Sequence, residues 1–307
     1  MNEASKRLAF GVEIGGTKLQ LAVGTEDGDL IEVERGSVAP DGGAAGILNW
    51  IQRKTARLLD QAQKAHRAPE AIGVGFGGPV DTATGRVLTS HQIAGWQNVE
   101  LKHWFEQQFA LPTVVANDAN AAGWAEFRLG AGQGTRNFFY MNIGSGIGGA
   151  LILDGRLYDG QGQGAGEIGH TYIPDWTADQ PGAADKLEHL CSGWSIEKRL
   201  QAQEAPVQTC VALAEAARTG DAFACAEIER VAQGVGRALA NVITLFHPER
   251  VALGGGVSLM GDVLLEPLRR QVDALVFGPF RGRYEILPCA LEESVVIAGA
   301  LLLALDT

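Results

Sequence analysis

Asp118 stands behind a short apolar run, residues 113–116, with Asn117 before it and Asn120 two residues after it. A carboxylate at the end of a buried strand, facing a ligand, is where a general base for a hydroxyl nucleophile would sit. The same aspartate could instead cap the helix that continues through Trp124, Phe127 and Leu129, and for an isolated aspartate capping is the commoner use. The two asparagines add neutral hydrogen-bonding groups that suit a sugar. Glu167 and His170, set among Gly160, Gly162, Gly164, Gly166 and Gly169, could bond neighbouring hydroxyls of one small polar ligand, or form no more than a surface pair. As a metal site they are short of ligands, because only His189 and Cys191 lie near them in sequence and zinc takes four.

Three glycine clusters offer backbone rather than side chains. Gly15, Gly16, Thr17 and Lys18 fall between two strand-like runs, so they form neither a P-loop nor a dinucleotide fingerprint, both of which need a helix to follow. Such a turn can still aim N–H groups and the Thr17 hydroxyl at phosphate oxygens, and a plain β-hairpin fits it equally well. Between Gly144 and Gly149 four of six residues are glycine; a turn with positive φ accounts for one or two, close approach of backbone to a ligand for all four. Gly254, Gly255 and Gly256 would let a flat ligand lie on the backbone, or simply turn the chain toward its next helix. Of 41 glycines, 19 fall in the stretches 11–16, 73–78, 144–149, 160–169 and 254–256. No Gly-X-Y period accompanies them, which excludes collagen. The expectation is that these stretches line one cleft.

The elements that must carry these residues alternate strand and helix. Residues 8–14, 18–25 and 30–38 read as a strand meander, 46–65 as an amphipathic helix, 71–76 as a strand, 100–109 as a helix and 113–116 as a buried strand. The pattern restarts near Phe139, where strand, glycine turn and strand lead to Asp154, Gly155 and Leu157 as the first pair leads to Asp27, Gly28 and Leu30. A repeat about 130 residues apart is far longer than a solenoid period and points to a duplicated domain. Helices follow at 186–201, 211–219, 223–246 and 262–277, with strands at 250–256 and 284–290 and a last helix at 295–305. A chain of 307 residues suits two domains. Its net charge of −11, with no basic block, argues against nucleic acid or anionic membranes as partners. Cys191, Cys210, Cys225 and Cys289 form no Cys-x-x-Cys pair, and no apolar signal segment opens the chain, so a soluble cytoplasmic protein is expected.

Together these motifs resemble the ROK family, whose name joins repressor, open reading frame and kinase, within the sugar kinase, actin and heat-shock ATPase superfamily. Glu13, Gly15, Gly16, Thr17 and Lys18 are similar to its first phosphate loop, and Gly75, Gly77, Gly78, Pro79, Val80 and Asp81 to the segment beside the sugar. Asn117, Asp118 and Asn120 match its catalytic motif, Gly144, Ser145 and Gly146 its second phosphate loop, Glu167 and His170 its Glu-x-Gly-His, and Gly254, Gly255 and Gly256 its adenosine-side turn. The resemblance runs over nearly the whole chain in the family's order. It implies an α/β, two-lobed actin-like ATPase (ribonuclease H-like) fold with a duplicated α/β domain and an interdomain cleft. The smaller domain would comprise residues 1–117 plus 293–307 and the larger 118–292. It further implies ATP-dependent phosphorylation of a hexose, with Mg²⁺ carried on the ATP. Glucose at its 6-hydroxyl is the first expectation, with N-acetylglucosamine, N-acetylmannosamine or fructose behind it. Asp118 would be the general base, while Gly77, Gly78, Gln92, Asn117, Asp118, Glu167, His170 and Glu188 would surround the sugar. A homodimer is also implied.

Three departures matter. The family's zinc motif, Cys-x-Cys-Gly-x-x-Gly-Cys, should fall between His170 and Leu187, and that stretch holds no cysteine. No structural zinc is therefore expected, which leaves His170 to the sugar. Glu13 stands where many members have aspartate, lengthening the arm toward a Mg²⁺-bound water. Gln92 replaces an asparagine that would approach the sugar, which leaves the identity of the hexose open. The competing functions are a sugar-responsive transcription regulator of the same family and a non-catalytic nucleotide-binding scaffold. Regulators carry an N-terminal helix-turn-helix and seven residues precede Leu8 here; the intact Asn117, Asp118, Glu167 and His170 argue against a scaffold.

Overall fold

β1 (Leu8–Ile14) and β2 (Lys18–Thr25) are buried along almost their whole length, as strands covered on both faces must be. β3 (Leu30–Ser37) is an exposed edge. After α1 (Gly43–Lys64) come β4 (Ala71–Phe76), a small hairpin of β5 (Val80–Asp81) and β6 (Arg86–Val87), α2 (Leu101–Phe109), β7 (Thr113–Asn117) and α3 (Asp118–Leu129). The computed structural model describes residues 6–16, 18–38, 42–64, 68–90, 93–291 and 293–306, with backbone alone at 62–64. The first sheet has the order β3-β2-β1-β4-β7. Its meander strands pair antiparallel, while β1, β4 and β7 run parallel.

The C-terminal helix, Val295–Leu305, is apolar on every side because it packs against β1, β4 and α3 within the same unit. Small residues permit the contact. A Cβ on Gly73 would lie 1.8 Å from the Ala300 carbonyl oxygen, and one on Gly299 1.8 Å from that of Ala121. Among the described residues no helix is long and apolar enough to cross a membrane.

The second sheet repeats the first. β8 (Phe138–Ile143), β9 (Ile147–Leu153) and β10 (Arg156–Tyr158) precede β11 (Tyr172–Pro174), β12 (Ala184–Lys186), α4 (Leu187–Cys191), α5 (Gly193–Ala202), α6 (Cys210–Arg218) and α7 (Ala222–Phe246). β13 (Arg250–Gly254), α8 (Asp262–Leu275) and β14 (Glu285–Pro288) complete the set. The order is β10-β9-β8-β13-β14, with β8 and β9 antiparallel and β8, β13 and β14 parallel. The chain divides into two units: Met1–Gln133 with Arg156–Ala165 and Ala290–Thr307, and Gly134–Gly155 with Gly166–Cys289.

One element departs from the sequence expectation in a way that bears on function. Residues 186–201 do not form one helix. Lys186 belongs to β12, which pairs with β11, and the helix breaks at Ser192, whose ψ of 155° is extended. Ser192 Oγ accepts the Ser195 N–H at 3.2 Å and so starts α5 afresh, while Gly193 N donates to the Gly144 carbonyl at 2.7 Å. The two strands of the β11–β12 hairpin are only three residues each and showed no period-2 signal.

Candidate functional site

In the first unit the parallel strands β1, β4 and β7 bring their C-terminal ends to one edge of the sheet, where α/β sheets present ligand-binding residues. Gly77 N donates to the Ile14 carbonyl at 2.8 Å, and Gly15 N to the Lys18 carbonyl at 3.0 Å. A Cβ on residue 77 would lie 3.3 Å from Asp118 Oδ2 and 3.5 Å from Gly15 Cα, so a side chain there would press on the Asp118 carboxylate, which glycine leaves undisturbed beside the first turn. Asn117, not Asp118, caps α3. Its Oδ1 accepts the N–H groups of Ala119 and Asn120 at 2.9 and 3.3 Å, and its Nδ2 donates to the Gly78 carbonyl at 3.1 Å. Asp118 is the first helical residue, and its Oδ1 accepts Ala119 N at 2.8 Å.

Glu13 lies beneath this edge with its side chain 11% exposed. Gln20 Nε2 donates to its Oε2 at 2.9 Å, and the Lys18 ammonium stands 3.9 Å away while donating to the Glu293 carbonyl at 3.0 Å. Burial pushes the Glu13 carboxyl up to about 7; Lys18 opposes the shift, and the charges of Asp118 and Glu293 reinforce it. Gln20 Oε1 is buried and has no partner among the described residues. Two mutually repelling carboxylates and an unsatisfied amide oxygen are hard donors in deficit of positive charge, a setting that fits Mg²⁺ held through its water shell. Gln20 was not foreseen; a lone polar residue in the apolar run of β2 was its only signal.

In the second unit the parallel strands β8 and β13 end at Ile143 and Gly254. Gly144 N donates to the Gly146 carbonyl at 2.9 Å, and Val257 N to the Ile143 carbonyl at 2.9 Å. Gly255 has φ +83°, and a Cβ there would lie 2.3 Å from Asn142 Oδ1, so this turn admits only glycine. No glycine of 144–149 has positive φ. Gly146 and Gly149 serve close approach within the protein instead, whereas a Cβ on Gly144 would meet nothing nearer than 3.7 Å. A Cβ on residue 146 would sit 2.6 Å from Glu188 Oε2, the same oxygen that accepts Ile147 N at 2.7 Å. Ser145 at the tip of the turn is exposed.

Ile147 gathers the remaining residues. Its carbonyl oxygen lies 2.2 Å from where a Cβ of Gly169 would be, which seats the short 3-10 helix Ile168–His170 on β9. Glu167 precedes that turn and His170 ends it, with His170 Nδ1 3.0 Å from Lys186 Nζ. Glu188 and the Glu167–His170 segment thus share one anchor. Gly16 lies in the first turn; Thr17 and Gln92 lie outside the described residues. Among the described residues there is no group of three or more His, Cys, Asp and Glu suited to a metal ion. Cys191 and Cys210 are buried thiols within the second unit's apolar core.

Residues 9–307 match the model of the ROK family. The glucokinase of Halalkalibacterium halodurans is 33% identical over 291 residues, which span 88% of this chain and 86% of that protein. The crystal structure of a ROK family glucokinase from Streptomyces griseus, in complex with glucose and AMPPNP, is similar with a TM-score of 0.79 at 32% identity, covering 98% of this chain and 100% of that one. The xylose repressor of Caldicellulosiruptor bescii is 26% identical over 97% of this chain and 78% of its own length.

Proposed function

The chain belongs to the ROK family, and on that premise we propose that it transfers the γ-phosphoryl group of ATP to a hexose, glucose at its 6-hydroxyl before other sugars. One observation carries the reading: the Asp118 carboxylate is held at a parallel strand end against the side-chain-free backbone of Gly15 and Gly77. A carboxylate so placed can take the proton of an attacking hydroxyl, and bare backbone beside it leaves room for the phosphate that hydroxyl attacks.

The chemistry asks little covalent work of the protein. Phosphoryl transfer depends on in-line positioning and charge stabilisation. Asp118 removes the proton as the sugar oxygen bonds to phosphorus and the ADP oxygen leaves. Lys18, Gly15 and Gly16 would hold phosphate oxygens from the first turn, as would Gly144, Ser145 and Gly146 from the second. Gly254, Gly255 and Gly256 would carry the adenosine. Mg²⁺ bound with the nucleotide would neutralise phosphate charge, and Glu13 is placed to bond its water shell. Gly77, Gly78, Asn117, Glu167, His170 and Glu188 are the proposed sugar contacts. Asn117 has one side-chain amide hydrogen beyond the one it gives to the Gly78 carbonyl, and Glu188 is pre-oriented by the Ile147 N–H.

The similarity to a xylose repressor gives a second reading, a sugar-responsive regulator. A screen of ADP release over glucose, N-acetylglucosamine, N-acetylmannosamine, mannose and fructose, with a no-sugar control, separates the two. Sugar-dependent ADP release supports the kinase and ranks its substrates. Silence with every sugar, together with a sequence-specific DNA shift, supports the regulator.

A further inference from the structure

Lys186 carries no motif signal in the sequence, yet among the described residues it makes the one polar side-chain contact to the His170 ring. Its Nζ lies 3.0 Å from His170 Nδ1. The contact is built into the backbone. Lys186 pairs directly with Tyr172 across the β11–β12 hairpin, and Leu187 N donates to the Thr171 carbonyl at 2.8 Å. The lysine is therefore tied to the two residues that follow His170. The adjacent Asp185 is engaged elsewhere, its Oδ1 lying 3.0 Å from His189 Nδ1 and 2.7 Å from Lys186 N.

An ammonium group has three donors and no acceptor. A ring nitrogen in contact with it must accept, so a neutral imidazole there carries its hydrogen on the other nitrogen. We infer that Lys186 is a positioning residue that fixes His170 in the tautomer protonated at Nε2. His170 then presents a donor, not an acceptor, and would give its Nε2 hydrogen to a hydroxyl oxygen of the sugar. Glu188, two residues beyond Lys186, presents carboxylate oxygens and can only accept. The turn that enters the hairpin and the helix that leaves it thus bring one donor and one acceptor toward neighbouring hydroxyls, and two adjacent sugar hydroxyls would satisfy both at once. A sugar that lacks the oxygen facing His170, or replaces it with a group that can only donate, would lose that bond. The sugar part of this inference rests on the kinase reading; the tautomer part does not.

The experiment is a long-range ¹H–¹⁵N spectrum of the histidine rings at about pH 8, where an ordinary imidazole is neutral, with the His170 signals assigned by His170→Gln. Wild type should show a single Nε2-protonated tautomer, Lys186→Met a mixture of both, and Lys186→Arg the wild-type pattern, since guanidinium also only donates. Calorimetric glucose affinity should fall about tenfold in Lys186→Met and recover in Lys186→Arg, the effect of one misdirected hydrogen bond. Circular dichroism of each variant checks the fold. An Nδ1-protonated ring in wild type, or identical spectra for wild type and Lys186→Met, would overturn the assignment of Lys186. If the spectra behave as expected and no hexose perturbs the His170 Nε2 signal, the tautomer assignment stands and the sugar reading fails.

Discussion

A carboxyl group that titrates near neutrality ties the stability of the first unit to pH. Glu13 ionises in the unfolded chain at its ordinary value of 4.5, but in the fold burial holds it to about 7. Between those values the unfolded state loses its proton first, so the folded state loses relative stability as pH rises from about 4.5 to about 7 and levels off above. The contribution is up to about 3 kcal/mol. Glu13→Gln removes that proton while keeping an oxygen for the Gln20 amide. In urea titrations without nucleotide, the variant should match wild type at pH 4 and be more stable at pH 8; equal stability at both would show that Glu13 is ordinarily hydrated. Gly146 offers a second test at this scale. A methyl group there meets only the end of a flexible side chain, Glu188 Oε2, so Gly146→Ala should fold within about 1 kcal/mol of wild type. It should also swing Glu188 away from Ile147 N and raise the KM for sugar several-fold. An unchanged KM would remove Glu188 from the sugar contacts.

Residue patterns legible in the sequence were those whose cause is local. A carboxylate after a buried strand, or glycines between two strands, announces itself within a few positions, and Asp118 and the glycine turns after Ile14 and Ile143 stand at strand ends as read, whereas Glu13, inside β1, was marked only by the family resemblance. What sequence did not show was pairing across distance. The Asn117 cap displaced Asp118 from that role because Asn117 also reaches the Gly78 carbonyl, 39 positions away. At the scale of elements the same reason broke the expected helix at Ser192, where Gly193 turns to meet Gly144. The segment that follows His170 is held by further long-range contacts. Arg199 on α5 donates to Glu227 on α7 and, through Nη1, to the Leu190 carbonyl of α4 at 3.1 Å, and its guanidinium lies 5.8 Å from the centre of the Trp176 ring. Glu227 is 1% exposed and Arg199 11%. Removing one partner of a buried ion pair leaves the other charge unpaired, at a cost of about 3–5 kcal/mol. Glu227→Gln should therefore lower the unfolding midpoint of the second unit sharply, whereas the surface pair Arg136 with Asp154, each side chain 75% exposed, should tolerate Asp154→Asn with a change of about 0.5 kcal/mol or less. Equal effects of the two substitutions in chemical denaturation would contradict this placement of the clamp.

At the scale of the whole molecule, the two sheets share one strand order, and β8–β9, β8–β13 and β13–β14 repeat the antiparallel, parallel and parallel senses of β1–β2, β1–β4 and β4–β7. In each, the turn between the first two strands is glycine-rich and the parallel strands end in candidate ligand residues. The repeat was visible in the sequence because the strand, glycine turn and strand recur in both halves, whereas short insertions such as the β11–β12 hairpin were not. Relatives of this chain include a glucokinase and a xylose repressor, so the fold alone does not decide the activity. The proposed phosphoryl transfer turns on Asp118. The most direct measurement is ATP turnover with and without glucose in wild type and Asp118→Asn, alongside calorimetric glucose binding. The account predicts glucose-dependent ADP release with matching glucose 6-phosphate in wild type, and a loss of about 10²–10⁴-fold in kcat in the variant with glucose affinity within about threefold. An Asp118→Asn enzyme that keeps near wild-type turnover, or wild-type ADP release that does not depend on sugar, would contradict it.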